Sequence, residues 1–446
     1  MLPVAAELVK RGNTVRFYSF DEFEDKINAA GAEFISCDAY LPELSEQEEA
    51  GLKNISTTEM TVQDIRITLG MDSFLDKEFQ SFRPDVVYTD SVCFWGKLNA
   101  WKHRVPMVVS TSTFAFNRLS SRYMKNTPKE LADMILGLPR VSKELKKLEP
   151  YGYHVKGALS LVQSDNQTDS IVYTSRRFQP YAESFSDHYA FVGPSVFSNA
   201  VPDKTKERPL VYISLGTVIN DRPDFYTKCI AALQDQKVDV VISCGNAVNR
   251  ASLGVLPDNI HVYPYVDQLD ILSKADVFIT HCGMNSVSES LYMAAPMVLY
   301  PQTSEQKAVA RRVMEIGAGT ALNDDSIDGI RASVQEILRN SAYAKAAEVC
   351  SLQTPSVFPK RKPPACFYGR LWYKVSAILF CIQFFGSRPD KINQSGMYSV
   401  NHGQDPFSGY WYHKYHEPSG DHLQCLRAGG QSEGQTGYPG QGEDEC

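Results

Sequence analysis

The 446-residue chain is long enough for two or three domains, each able to bury a core, and its 43% hydrophobic and 22% charged content excludes a disordered polypeptide. With 45 basic against 52 acidic residues the net charge is -7, so nothing supports a nucleic-acid partner. The longest apolar run, residues 375–385, is shorter than the roughly 20 residues that a membrane span needs.

From the amino end, residues 2–10 have helical spacing, with Pro3 in the first turn and Gly12 beyond the last. A strand is expected at 14–20, a helix at 22–30 and a strand at 33–36. A polar loop, 41–56, leads into a helix at 58–82. Residues 85–89, 94–103 and 106–110 then read as strand, helix and strand. A second series of strands falls at 210–214, 239–243, 260–263, 277–280 and 297–300. Such alternation predicts parallel sheets covered by helices on both faces. Between the two series, GPSVFSNAVPDKTKERP (193–209) is rich in Pro, Ser and charge and reads as a linker. The expected fold class is α/β, with two Rossmann-like domains, 1–192 and 210–351, facing across a cleft. The ten cysteines are scattered without a CxxC pair, and no secretory leader precedes them, so reduced thiols in the cytoplasm are the simplest reading.

The most informative stretch is THCGMNSVSESLYMAAPMVLYPQTSEQ, 280–306. His281, Gly283, Asn285 and Ser286 crowd the point where a helix begins. There, unpaired N–H groups and a partial positive charge favour a phosphate. Glu289, one turn in, is placed to reach a ribose diol. Glu305 and Gln306 follow the next strand as a pair suited to sugar hydroxyls, although they also fit an ordinary helix start. Earlier, LVYISLGT (210–217) ends a strand in Gly216 and Thr217. Gly there permits close backbone approach to a diphosphate and Thr supplies a hydroxyl, while the bland alternative is a simple turn. Phosphate, ribose and hexose can thus be laid along one line.

This block resembles the donor-binding signature of the family 1 UDP-dependent glycosyltransferases, especially their bacterial macrolide-type branch. The similarity continues upstream through YVDQLDILSKADVFITHCG. It implies that Tyr265 stacks on the uracil ring, Val266 pairs with the base through its main chain, and Gln268 contacts the nucleoside. Asp267 replaces a common proline, and Met284 stands where plant relatives carry tryptophan. The resemblance further implies the GT-B arrangement and inverting transfer of a hexose from a UDP-sugar to a small hydroxylated acceptor. In that scheme His281 and the helix N-terminus hold the leaving diphosphate, with no metal and no other cofactor. An epimerase or cell-wall transferase of similar architecture is a rival that the Glu305–Gln306 pair argues against.

For the proton acceptor, the family uses a histidine in a loop after its first strand, oriented by an aspartate. Asp90, in VVYTDSVCFWGK, matches that aspartate, or alternatively caps the helix behind it. The histidine has no counterpart. His103, in KHRVP, reads as a surface helix end, and neither it nor His154 lies in a comparable turn. The chain starts inside the helix that follows the family's first strand. The expectation is therefore a first domain lacking its central strand, with two unpaired edges and doubtful activity. A catalytically dead remnant that still binds UDP-sugar is the alternative. Aromatic residues Phe94, Trp95, Phe114, Phe116 and Tyr123 are candidates for an acceptor surface, or else core. Beyond Ser351 the resemblance and the periodicity end together, so 352–446 reads as an unrelated, disordered tail. His413, His416, His422 and Cys425 have zinc-ligand chemistry, yet lacking a surrounding core they read as chance clustering.

Overall fold

The computed structural model describes residues 1–41, 56–157, 160–161, 165–194, 202–203, 205, 207–217, 219–246, 248–353 and 376–380. In chain order the strands are β1 (Thr14–Ser19), β2 (Glu33–Ser36), β3 (Val86–Asp90), β4 (Met107–Thr111), β5 (Asp169–Val172) and β6 (Tyr189–Phe191). They continue with β7 (Leu210–Ser214), β8 (Asp239–Ser243), β9 (Ile260–Tyr263), β10 (Val277–Thr280), β11 (Met297–Leu299), β12 (Gly319–Ala321) and β13 (Ser376–Phe380). One sheet has the order β2-β1-β13-β3-β4-β5-β6 and the other β12-β11-β10-β7-β8-β9. Every pairing among the described strands is parallel. The expected α/β class with two doubly wound halves is therefore what the chain adopts.

The second sheet shows why continuous apolar runs make such strands. Every residue of β7 and of β10 is buried, as a parallel strand covered on both faces requires. Alternation divides them between two cores. Val211, Ile213, Val277 and Ile279 pack with Phe225, Ile230 and Ile337, which lie on the helices Pro223–Leu233 and Ile327–Arg339. Leu210, Tyr212 and Phe278 face Val287, Leu291 and Val313 on the helices Met284–Tyr292 and Ser304–Glu315. In the first sheet, Phe17 and Tyr88 face Ala5, Leu8 and Ile27. On its other side, Tyr18 and Val87 face Met71, Leu75 and Phe79 of the Thr57–Phe82 helix.

One expectation is corrected here. The slot between β1 and β3 is filled, because β13 pairs with both, Ile378 lying opposite Arg16 on one side and Val87 on the other. The strand comes from within 352–446, the segment expected to lie outside the fold. An apolar run of strand length satisfies the backbone groups that two bare edges would leave unpaired. The zinc-like residues His413, His416, His422 and Cys425 lie outside the described residues. Among the described residues no helix is long and apolar enough to cross a membrane, and no group of acidic, His or Cys side chains has metal-site geometry.

The helix Pro128–Lys146 has no counterpart in the sequence reading. Thr127 and Glu130 form a capping box at its start, with Pro128 in the first turn, and the helix continues through Pro139. All strands of a parallel sheet end on one side, so β3, β4, β7, β10 and β11 deliver Asp90, Thr113, Gly216, His281 and Tyr300 to the carboxyl edges of their sheets. That is where ligands of open α/β folds bind.

Candidate functional site

His281 follows β10, and the helix Met284–Tyr292 starts three residues later with Gly283 as its N-cap. The imidazole is wedged between two glycines. A Cβ on Gly216 would stand 2.6 Å from its Cε1 and Nε2, and one on Gly283 would stand 2.5 Å from Nε2. Gly216 also has φ +80°, which favours glycine independently. The buried Nδ1 meets no hydrogen-bond partner among the described residues. Burial drives the pKa of His281 down to about 4, against a smaller upward push from a backbone hydrogen bond with Ser214. At neutral pH the ring is uncharged, and it offers an oriented N–H where the helix N-terminus adds its positive field. Asn285 is exposed and Ser286 half-buried at the same helix start. Thr217 is exposed beside Gly216.

One turn further, Gln268 Nε2 donates to Glu289 Oε2 at 2.6 Å, and Tyr212 donates its hydroxyl to Gln268 Oε1 at 3.3 Å. Burial raises the pKa of Glu289, opposed by the bond from Gln268. Tyr265 is 61% exposed, leaving its ring face open to a flat partner. Val266 packs on the core beneath. Asp267, the departure from proline, accepts from the N–H groups of Leu269 and Asp270, both at 3.1 Å, and so caps the helix Gln268–Lys274. Met284 is core, 4% exposed.

The structure separates the Glu305–Gln306 pair. Gln306 joins Thr303 in a capping box, its Oε1 accepting from the N–H groups of Gln302 at 2.8 Å and Thr303 at 3.2 Å. Glu305 instead reaches the first half of the chain, where Thr113 donates its hydroxyl to Oε1 at 2.8 Å. Burial raises the carboxyl pKa of Glu305, and the bond from Thr113 opposes this. The same helix carries further links between the halves. Ser304 Oγ lies 2.5 Å from Glu130 Oε1, Arg311 donates to the Tyr123 carbonyl at 2.8 Å, and Arg312 donates to the carbonyls of Arg177 and Phe178.

Asp90 ends β3 and is 7% exposed. Its Oδ1 accepts from the Val92 N–H at 3.0 Å. This is a turn contact, since the helix itself starts at Phe94 with Cys93 as an N-cap lacking a side-chain bond. Burial raises the Asp90 pKa, opposed by the Val92 N–H and the nearby Lys97. His103 pairs with Asp76 at 2.8 Å and stacks on Phe79, and His188 pairs with Asp169 at 2.6 Å. His154 is exposed in an irregular stretch after the turn at Gly152.

Beside Asp90, a cavity of about 120 Å³ is lined by Ser91, Lys97, Trp101, Thr113, Phe114 and Phe116 among others. Of the aromatic candidates, Phe94 and Trp95 are core, at 4% and 1% exposure. Tyr123 packs under Arg311, and only Phe114 and Phe116 line the cavity. Sequence reasoning missed Thr113, Lys97 and Asn220. Asn220 donates to the Gly216 carbonyl at 2.9 Å, and a Cβ on Gly245 would meet it at 2.3 Å, so it braces the Gly216 turn. Thr113 was legible as a polar residue just past a strand's carboxyl end. Lys97 carries no local signal that sets it apart from a helix-surface lysine.

A strand-end histidine locked between two glycines, above a Gln–Glu pair at a helix start, has the layout of a nucleotide-diphosphate site. Residues 198–353 match the UDP-glucoronosyl and UDP-glucosyl transferase family. The NDP-glycosyltransferase YjiC of Bacillus licheniformis is 32% identical over 352 residues, covering 75% of this chain and 84% of that protein. The chain belongs to this transferase family. Oleandomycin glycosyltransferase of Streptomyces antibioticus is 27% identical, covering 76% of this chain and 79% of its own length. Together with a mycarosyltransferase from Streptomyces fradiae, it places this family member in the bacterial macrolide-type branch. The crystal structure of CalG4, the calicheamicin glycosyltransferase, superposes with a TM-score of 0.66 at 25% identity, over 80% of this chain and 91% of that one. The transferase therefore has the GT-B fold, and it is a glycosyltransferase acting with a nucleotide sugar and an acceptor.

Proposed function

We propose that the chain transfers a hexose from a UDP-sugar to a hydroxyl of a small lipophilic acceptor, with inversion at the anomeric carbon. The observation that carries this reading is the wedging of His281 between Gly216 and Gly283 at a helix N-terminus. In this reading Tyr265 and Val266 take the uracil, and Gln268, Ser286 and Glu289 take the ribose. Gly216, Thr217, His281, Gly283 and Asn285 surround the diphosphate. Glu305 and Gln306 border the hexose, Glu305 through the carboxylate oxygen left free by Thr113.

The reaction forms a bond from the acceptor oxygen to the anomeric carbon and breaks the bond from that carbon to the diphosphate. Charge develops on the departing phosphate oxygens. A neutral imidazole N–H and the first N–H groups of the Met284–Tyr292 helix are already oriented toward that charge, so little reorganisation is required as the bond breaks. The acceptor proton must pass to a base as well, and Asp90 at the end of β3, whose neighbours Ser91 and Val92 line the cavity, is the carboxylate that this reading assigns to orienting that base.

A second reading keeps the donor site and omits turnover. It is favoured by the engagement of Asp90 with Val92 N–H, where the resemblance expects a histidine partner. One pair of measurements on the full chain decides. Calorimetric uptake of UDP that His281→Ala abolishes, together with release of UDP from UDP-glucose in the presence of acceptors, supports transfer. Uptake without release supports the remnant. No uptake at all overturns both.

A further inference from the structure

The helix Pro128–Lys146 turns apolar side chains toward water. Leu131, Ile135, Leu136 and Leu138 are between 51% and 79% exposed, and Ala132 and Pro139 beside them are exposed as well. Among the described residues no other stretch of eight exposes two large apolar side chains. Isolated exposed leucines are ordinary, whereas a cluster marks a surface that meets something. The other side of the helix shows how it is seated. Val141 and Glu144 are buried, Glu130 reaches Ser304, and Gly137 lies where any Cβ would collide with Thr58. At 3.6 residues per turn, residues 130, 137, 141 and 144 form one stripe, and the exposed apolar set falls on the opposite side.

Charge indicates what that surface meets. The chain has a net charge of -7, yet this segment is locally basic. Lys125, Lys129, Lys143 and Lys146 are exposed and make no ion pair among the described residues, whereas Arg140 and Lys147 are engaged by Glu59 and Glu144. Between residues 125 and 149 the exposed carboxylates are Asp133 and Glu149. Lys129 stands seven residues before Leu136, and Lys143 and Lys146 follow Pro139 by four and seven. All three therefore extend the apolar side of the helix and not its packed side. Apolar side chains framed by lysines at both ends match hydrocarbon lying beneath negative headgroups, with the lysine stems along the acyl chains and the ammonium groups at the phosphates. A second copy of the chain fits less well, because a two-fold contact through this helix sets lysines against lysines.

We propose that the outward face of the Pro128–Lys146 helix docks on an anionic lipid surface, with Leu131, Ile135, Leu136 and Leu138 entering the interface and Lys129, Lys143 and Lys146 meeting the headgroups. This concerns where the chain sits and holds whether or not it turns over a sugar. Flotation of the full chain with vesicles tests it, using phosphatidylcholine alone and an equal mixture of phosphatidylcholine and phosphatidylserine. Binding to the mixed vesicles should be at least about tenfold tighter and should weaken as salt is raised. Ile135→Gln with Leu136→Gln should lower it by about tenfold or more, the scale of burying such side chains. Lys143→Gln with Lys146→Gln should lower it by about fivefold per lysine on the mixed vesicles alone. Equal binding of the wild type to both vesicles overturns the proposal even if a variant does not fold, as does mixed-vesicle binding that neither pair of substitutions changes. No vesicle binding also overturns it; sedimentation of the same sample as a dimer that Ile135→Gln with Leu136→Gln dissociates would then give the face to a second copy. UDP uptake, measured alongside, should be the same in every variant, and its absence from the wild type would overturn the donor reading and leave this one standing.

Discussion

Thr113 and Glu305, 192 positions apart in the chain, meet through a 2.8 Å hydrogen bond that joins the edge of the first sheet to the second half. The bond spends one carboxylate oxygen of the residue that borders the hexose in the transfer reading. Thr113→Val would leave a buried acceptor unsatisfied, at a cost of about 1–3 kcal/mol, while Thr113→Ser would keep the bond. Denaturant unfolding should show the loss in the Val variant alone. Uptake of UDP, which has no hexose, should be unchanged in both. A Val variant as stable as the wild type would show that this contact holds nothing together.

The depressed pKa of His281 makes stability depend on pH. The folded state keeps the ring neutral down to about 4, whereas an unfolded histidine takes a proton below about 6.5. The unfolded state therefore binds more protons between these values. The contribution from His281 is fully present above pH 6.5 and is lost as the pH falls toward 4, by about 3 kcal/mol in total. Glu289 and Glu305, both raised by burial, act in the opposite sense. They are common to wild type and His281→Asn, so the difference between the two proteins isolates the histidine. Unfolding midpoints at pH 7 and pH 4 should show a smaller acid loss in the Asn variant; parallel losses would count against a buried neutral ring.

A central strand cannot spare its N–H groups. Ile378 pairs with Arg16 on one side and Val87 on the other, so Ile378→Pro removes a ladder donor from the middle of a sheet and should destabilise the first half by about 3 kcal/mol. Limited proteolysis should then cut within residues 1–192 while UDP uptake by the second sheet persists. Unchanged protease resistance would place the completing strand elsewhere.

The donor half was legible in the sequence because its signals are local. Largely apolar runs such as LVYIS and VFIT favour buried parallel strands. Gly216, His281 and Gly283 sit at strand ends and a helix start that periodicity alone predicts. Even Asp267 explains itself locally, as a helix cap. Three features escaped that reading because each depends on residues far apart in the chain. Thr113 acquires its partner only when the halves meet. Lys97 becomes a cavity residue only once Ser91 and Leu161 converge on its ammonium. The run Ser376–Phe380 reads as a short apolar segment in an unpromising tail, and becomes a central strand only because β1 and β3 leave a slot of its width. Sequence by itself determined the strands, the turns and the chemistry at their ends, since backbone propensity and burial act over a few residues. Tertiary structure alone decided which distant segment completes the first sheet and which side chains face across the cleft, because hydrogen-bond pairing and desolvation answer to neighbours in space.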